Sequence, residues 1–310
     1  SDWLLAEIDE SDGTIDRFSP EITLLLNLDW DHVDRYKDFS AFKAVFSRLL
    51  ERTKGEVILE ESLSRKFNEF NSFKAKKHLL LNLKDGEGDA SLESSVEDFL
   101  NPRLMTSVFN QSNERFALSL LNLFQEEQKV SSELFNDFPG IDRRQNALFE
   151  SKSLTVYEDY AHHPYEIKLL IDAFISKYGK RELVVVFQPH RFSRTKALIK
   201  EFSEVLKTAN SVFLLPVYSA YEVYCEGGSS EDLIKLFKGA KINSLSMDID
   251  GMNQLKKHTN SLENPVLLFV GAGSITEFAQ AFCAYYENGS TQSAWLSFIQ
   301  SRVSNDCQLK

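Results

Sequence analysis

Apolar residues in this chain fall into short runs separated by polar clusters. Residues 3–8 and 22–28 form two such runs, each of a length that suits a strand buried within a parallel sheet. Over 38–52, Phe39, Phe42, Val45, Phe46, Leu49 and Leu50 recur at three- and four-residue intervals, which predicts an amphipathic helix. A third strand is expected at 57–59, after Gly55, and another helix at 113–124. Residues 84–92 alternate glycines and acids but lack the closing glutamate of a calcium loop, so a solvated turn is expected there.

From residue 138 onward the pattern changes. Strand, polar loop and helix follow one another repeatedly. Residues 154–157 lead into Asp159-Tyr160-Ala161-His162-His163-Pro164, where the proline suits the first turn of a helix. Residues 183–187 lead into Gln188-Pro189-His190-Arg191 and a helix over 195–207. Residues 266–270 lead into Gly271-Ala272-Gly273 and a helix over 276–286, and a further strand is expected at 211–217. The predicted fold class is α/β, with mostly parallel sheets covered by helices. Two domains are expected, over 1–137 and 138–288, with a tail at 289–310. In such sheets ligands sit beyond the carboxyl ends of the strands, where the polar clusters fall.

Length and composition agree. A chain of 310 residues exceeds what one core usually supports, and 43% apolar with 26% charged residues excludes a disordered chain. Lys+Arg 35 against Asp+Glu 46 gives a net charge of −11, which disfavours nucleic acid as a partner. Three separated cysteines build no disulfide framework or cysteine-rich zinc site, and a cytoplasmic location is expected. No apolar run reaches the ~18–20 residues of a membrane span. The chain opens without methionine on Trp3-Leu4-Leu5-Ala6, so further sequence is expected to precede it.

Several clusters carry candidate chemistry. Glu7-Ile8-Asp9-Glu10-Ser11-Asp12 and Asn27-Leu28-Asp29-Trp30-Asp31-His32-Val33-Asp34 follow the first two predicted strands. If those strands are adjacent, Glu7 and His32 share a rim, and carboxylate with imidazole suits Mg²⁺ or Mn²⁺. The competing reading is acidic loops that cap helices. Arg191 and Arg194 form a fork for a carboxylate or phosphate just past a buried strand. Gly140-Ile141-Asp142-Arg143-Arg144 offers a basic pair at the domain junction. The Gly271/Gly273 pair lacks the third glycine of a dinucleotide fingerprint, and the chain has no GxxxxGK[ST] phosphate loop.

In this order the clusters resemble the Mur ligases, and most closely the branch that joins L-alanine to UDP-N-acetylmuramate. Residues 7–12 differ from that family's Glu-Ala-Asp-Glu-Ser-Asp only at Ile8. Residues 26–34 keep Asn27, Asp31, His32 and Asp34, and 159–164 and 188–194 match its most distinctive blocks. The chain departs from the family at Asn110, Ser112 and Ser274, and at 219–222, where Ser219-Ala220-Tyr221-Glu222 replaces the usual Pro/Ala-Ala-Gly-Glu. The resemblance spans residues 1 to about 285. It implies part of a central ATPase domain followed by a Rossmann-like C-terminal domain, with the UDP-binding region and phosphate loop lying in a missing N-terminal region. It implies ATP and Mg²⁺ as cofactors, UDP-N-acetylmuramate and L-alanine as substrates, and no membrane partner.

By the same resemblance Glu7 and His32 hold Mg²⁺, and Asn113 contacts adenine. Arg144 and Asp159 contact phosphate and ribose, and Tyr160, His162, Arg191 and Arg194 surround the amino acid and the intermediate. The activity implied is phosphorylation of a carboxylate followed by attack of an amine, with two domains closing to exclude water. Without the phosphate loop, the chain alone is expected to be inactive. A second reading is a non-catalytic remnant that binds nucleotide or a partner. A third is a hydrolase with Asp31, His32, His162, His163 and His190 around metal ions, where Arg191 and Arg194 would repel the cations.

Overall fold

The computed structural model describes residues 3–30, 35–67, 72–80, 108–124, 141–237 and 241–288. The predicted turn at 84–92, the segment 31–34 with His32, and the tail from 289 lie outside the described residues. The chain divides into two compact units, Ser1–Phe138 and Pro139–Lys310. No helix among the described residues is long and apolar enough to cross a membrane.

The first unit holds a 3-10 turn (Thr14–Arg17), β1 (Ile22–Leu25), α1 (Phe39–Arg52), β2 (Glu56–Glu60), α2 (Glu61–Ser64), β3 (Lys76–Leu80) and α3 (Val108–Leu123). Its sheet runs β1-β2-β3, all parallel. Helix α1 starts where Asp38 accepts the Ala41 N–H at 2.9 Å, an N-cap that satisfies an otherwise orphaned donor. Its predicted face delivers Phe42, Val45, Leu49 and Leu50 to a core with Leu25, Val57, Leu59 and Phe73. At the far end the Thr53 hydroxyl donates to Leu49 O at 3.0 Å and meets the Thr23 hydroxyl at 2.7 Å, tying α1 to β1.

Two expectations fail in this unit. Residues 3–8 form no strand, and Trp3, Leu4 and Leu5 are exposed. A strand exists only through ladder partners, and among the described residues β1 pairs with β2 alone. The apolar run pairs with neither edge of that sheet. The run at 22–28 stops pairing at Leu25, opposite Leu59.

The second unit holds β4 (Asn146–Glu150), β5 (Thr155–Asp159), α4 (Pro164–Tyr178), β6 (Leu183–Phe187), α5 (Phe192–Ala197), α6 (Ile199–Leu206), β7 (Ser211–Leu214), α7 (Ser230–Ile234), β8 (Ile242–Ser244), α8 (Ile249–Asn260), β9 (Val266–Val270) and α9 (Ile275–Asn288). The six-stranded order is β4-β5-β9-β6-β7-β8. All pairs are parallel except β4 with β5. Strand side chains alternate between two cores, as a period of two requires. Val156, Val184, Val186, Leu267 and Phe269 meet Met252, Leu255, Phe278 and Phe282 from α8 and α9. Val185, Phe187, Val212, Leu268 and Val270 meet Ile167, Leu170, Phe174, Phe202 and Leu206 from α4 and α6.

The chain departs from β5 toward one face and from β9 toward the other, and β9 lies between β5 and β6. This reversal is the place where an α/β sheet opens a crevice. The helix expected over 195–207 is two helices, broken at Leu198 (φ −114°, ψ 21°).

Candidate active site

Ladder register puts three strand ends side by side: Asp159 of β5 and Phe187 of β6 both pair with Val270 of β9. Beyond them Gly271 N–H donates to Asp159 O and Gln188 N–H to Val270 O, both at 3.0 Å. The segments that follow therefore leave one rim.

Asp159 is 7% exposed. Its oxygens accept the Ala161 N–H at 2.7 Å and the Gln145 N–H at 2.9 Å. Burial pushes its carboxyl up to about 6, against the lowering pull of those two N–H groups and of Arg144. The bond to Gln145 draws the 141–145 turn onto β5, and Tyr160 N–H donates to Arg143 O at 2.7 Å. Arg143 and Gln145 take left-handed φ of 62° and 48° to make this turn, a conformation that costs non-glycine residues energy. Both arginines then face Tyr160, with guanidinium carbons 4.5 Å (Arg143) and 5.6 Å (Arg144) from its ring centre. Such cation–π contacts hold an aromatic ring without a hydrogen bond.

The two histidines after Tyr160 are set by Glu166 of α4. Its Oε2 accepts both backbone N–H groups, His162 at 3.0 Å and His163 at 3.2 Å. The His162 ring lies 5.4 Å from Tyr160 and 5.9 Å from His190. His190 in turn stacks on Tyr218 at 5.4 Å and 23°. His190 Nδ1 faces Arg194 Nη1 at 3.5 Å. Burial, then the charges of Arg194, His162 and Arg191, push the His190 imidazole down to about 4. It is therefore neutral at pH 7, with Nδ1 available to accept from Arg194. Arg191 begins α5 with φ 70°, and its N–H donates to Tyr218 O at 2.8 Å.

Close approach explains Gly273: a Cβ there would lie 2.5 Å from Tyr218 Cγ and 2.6 Å from Gln188 Oε1. Gln188 is buried, and its Nε2 donates to Ser274 Oγ at 3.2 Å.

Of the residues singled out from sequence, Tyr160, His162, Arg191, Arg194, Asp159 and Arg144 gather on this rim. Glu7 and Asn113 belong to the first unit. Both are exposed, Glu7 on irregular chain and Asn113 on α3, and His32 lies outside the described residues. The adjacent strands expected to present Glu7 and His32 together are not there, because residues 3–8 form no strand. Acids beside Glu7 make turns: Asp9 accepts Ser11 N–H at 2.5 Å and Asp12 accepts Thr14 N–H at 2.8 Å. Among the described residues no three His, Cys, Asp or Glu side chains group as metal ligands, so the histidine-rich hydrolase has no centre among them. Sequence reasoning missed Glu166 and Tyr218, and met Glu222 only as the glutamate of the varied segment 219–222. Glu166 had a signal, a glutamate three residues after the position that precedes a helix; Tyr218 had none.

The pattern of the family described as Mur ligase, glutamate ligase domain, matches residues 143–273, which include every residue of this rim named above except Ser274. The chain carries a Mur ligase C-terminal domain. It is 29% identical over 302 residues to the UDP-N-acetylmuramate–L-alanine ligase of Hydrogenobaculum sp., covering 91% of this chain and 65% of that protein. It is 31% identical over 256 residues to the ligase of the same name from Bdellovibrio bacteriovorus, covering 76% and 56%. The chain thus spans less than two thirds of the length of these curated relatives. Its fold resembles that of a UDP-N-acetylmuramate-alanine ligase, MurC, from Thermotoga maritima (TM-score 0.61, 22% identity, 91% of this chain and 63% of that one). It also resembles MurF from Acinetobacter baumannii (TM-score 0.61, 10% identity, 89% and 61%). The Mur ligase domain here is the unit that carries the arginine–histidine rim.

Proposed function

We propose that the chain is the C-terminal part of an ATP-dependent ligase that adds L-alanine to UDP-N-acetylmuramate, a cytoplasmic step of peptidoglycan precursor synthesis. The observation that carries this reading is the gathering of Tyr160, His162, His190, Arg191 and Arg194 at the ends of β5 and β6, inside a Mur ligase domain. A carboxylate resists amine attack because its leaving group is poor. ATP would supply the phosphoryl group that turns the sugar's carboxylate into an acyl phosphate, leaving ADP, and phosphate departs when the amine attacks.

The chain's own residues position and neutralise. Arg191 and Arg194 hold the amino acid's carboxylate or the oxyanion that develops as its amine attacks. Neutral His190 accepts from Arg194 and fixes that guanidinium without adding a positive charge. Tyr160 and His162 line the same space. Arg144 would meet nucleotide phosphate, Asp159, which braces the turn that carries it, would meet ribose, and Asn113 would meet adenine. The rim's donors fit an anion. For Mg²⁺ the described residues supply Glu7 of the Glu7–His32 pair and no grouped ligand set, so no step here runs through the metal. The test is the full-length gene product given ATP, Mg²⁺, UDP-N-acetylmuramate and L-alanine. ADP release that requires both substrates, with the ligated product formed, is expected; no ADP release with both present overturns the reading.

A further inference from the structure

We infer that Glu222 is a positioning residue for this ligation, holding the first turn of α5 so that Arg191 and Arg194 meet the amino acid. The inference rests on the ligase reading above. Helix α5 begins at an arginine in left-handed conformation and receives no cap from its own side chains. A residue from a distant loop supplies the acceptor instead. Glu222 Oε2 takes the Ser193 N–H at 3.1 Å and Oε1 takes the Ser193 hydroxyl at 2.6 Å. Ser193 stands between the two arginines, so fixing its backbone and side chain together fixes the turn that aims both. A carboxylate that accepts two donors from one residue sets orientation as well as distance.

The loop that brings Glu222 there grips the other flank of Arg191. Tyr218 N–H donates to Pro189 O and its carbonyl accepts Arg191 N–H, both at 2.8 Å. Ala220 and Tyr221 follow with φ of 48° and 66°, and Glu222 N–H closes back on Ser219 O at 2.9 Å. Two successive left-handed residues without glycine are an uncommon expense, and strain of this kind collects where surrounding structure must over-determine a geometry. Tyr224 then lies edge-on to Phe192 at 5.5 Å. The strap over 218–224 therefore holds Arg191, Phe192 and Ser193 in succession. Its purpose is local: none of these contacts reaches the elements assigned to nucleotide.

The experiment is steady-state kinetics on the full-length ligase with Glu222→Ala, Glu222→Gln and Ser193→Ala. Glu222→Ala is expected to raise KM for L-alanine about tenfold or more and to leave KM for ATP within about twofold. Glu222→Gln keeps one acceptor oxygen of similar shape and recovers part of that loss. Ser193→Ala removes one of the two bonds and falls between them. A merely structural role would lower turnover with every substrate alike; that pattern, or an unchanged KM for L-alanine, overturns the inference. If Glu222→Ala fails to fold by circular dichroism, the other two variants decide by the same criterion. A wild-type enzyme without ligation overturns the ligase reading itself, which is a distinct result.

Discussion

The two parallel sheets of this molecule differ in how they hold their chemistry. In the larger, β5, β6 and β9 are buried along their whole length, and register fixes their ends to one another. The rim residues inherit that order through short backbone links. In the smaller sheet β3 exposes Lys76 and Leu79, and Glu7 sits on chain that belongs to no ladder. A buried ladder can define a site within one unit; an irregular, exposed segment places a side chain only as well as its local turns do.

The strongest way to break this contrast is in the cores. Leu268→Ala in β9, where the side chain is 0% exposed, is expected to lose about 3 kcal/mol of stability. Leu79→Ala in β3, 47% exposed, is expected to lose less than about 1 kcal/mol. Urea unfolding that shows equal losses would end the comparison.

Next in size is a pH effect inside the rim. Asp159 titrates at about 6 in the fold against 3.8 for the free carboxyl, so the native state holds its proton more tightly. That stabilisation is present below about pH 4 and is lost as pH rises through 6, by about 2–3 kcal/mol at ~1.4 kcal/mol per unit. Asp159→Asn should remove this slope in unfolding curves taken between pH 4 and 7. His190, lowered to about 4, acts in the opposite sense. Its contribution is present above about pH 6.5 and is lost as pH falls through 4. The two windows overlap between about pH 4 and 6 with opposite slopes, so His190→Gln should leave stability falling as pH rises there and Asp159→Asn should leave it rising.

Gly273→Ala comes third. Its added methyl clashes with both Tyr218 and the Gln188 amide, so both must shift, at about 1–2 kcal/mol, and the displaced Tyr218 no longer stacks on His190. A crystal structure of the variant with Tyr218 unmoved would refute this. Smallest is Tyr221→Gly, which relieves a left-handed side chain that is 86% exposed and should stabilise by about 0.5–1 kcal/mol in the same unfolding assay.

Sequence revealed the larger sheet's centre because 183–187 and 266–270 are wholly apolar, 154–157 is nearly so, and each run gives way to a polar or glycine-rich segment. The same logic misled at 3–8, where an apolar run lacks a ladder among the described residues. The remaining elements left weaker traces. β8 is Ile-Asn-Ser, with one apolar residue. α8 carries Gly251 in its first turn and buries just Met252 and Leu255 among its larger apolar side chains, too few to declare a helical period. β4 is an edge strand with a mixed pattern. In the site, the side chains at strand ends were legible by adjacency. Tyr218 and the contacts of Glu222 were not, because the bonds from Ser193 to Glu222 span 29 residues and nothing in either segment marks its partner.

Strand β4 runs against β5, so Asn146 pairs with Glu158 near the end of β5, and Arg143 and Arg144 arrive at the rim from the chain just before it. The hairpin bend at 151–154 is at the far end of the same ladder. An epitope inserted in that bend should leave both arginines where they are. A single deletion between Arg144 and Asn146 would instead remove Gln145, and with it the bond to Asp159 that draws the arginine turn onto β5. The irregularity between Ala147 and Phe149 marks where this ribbon already accommodates a spare residue, and where a label would be least welcome.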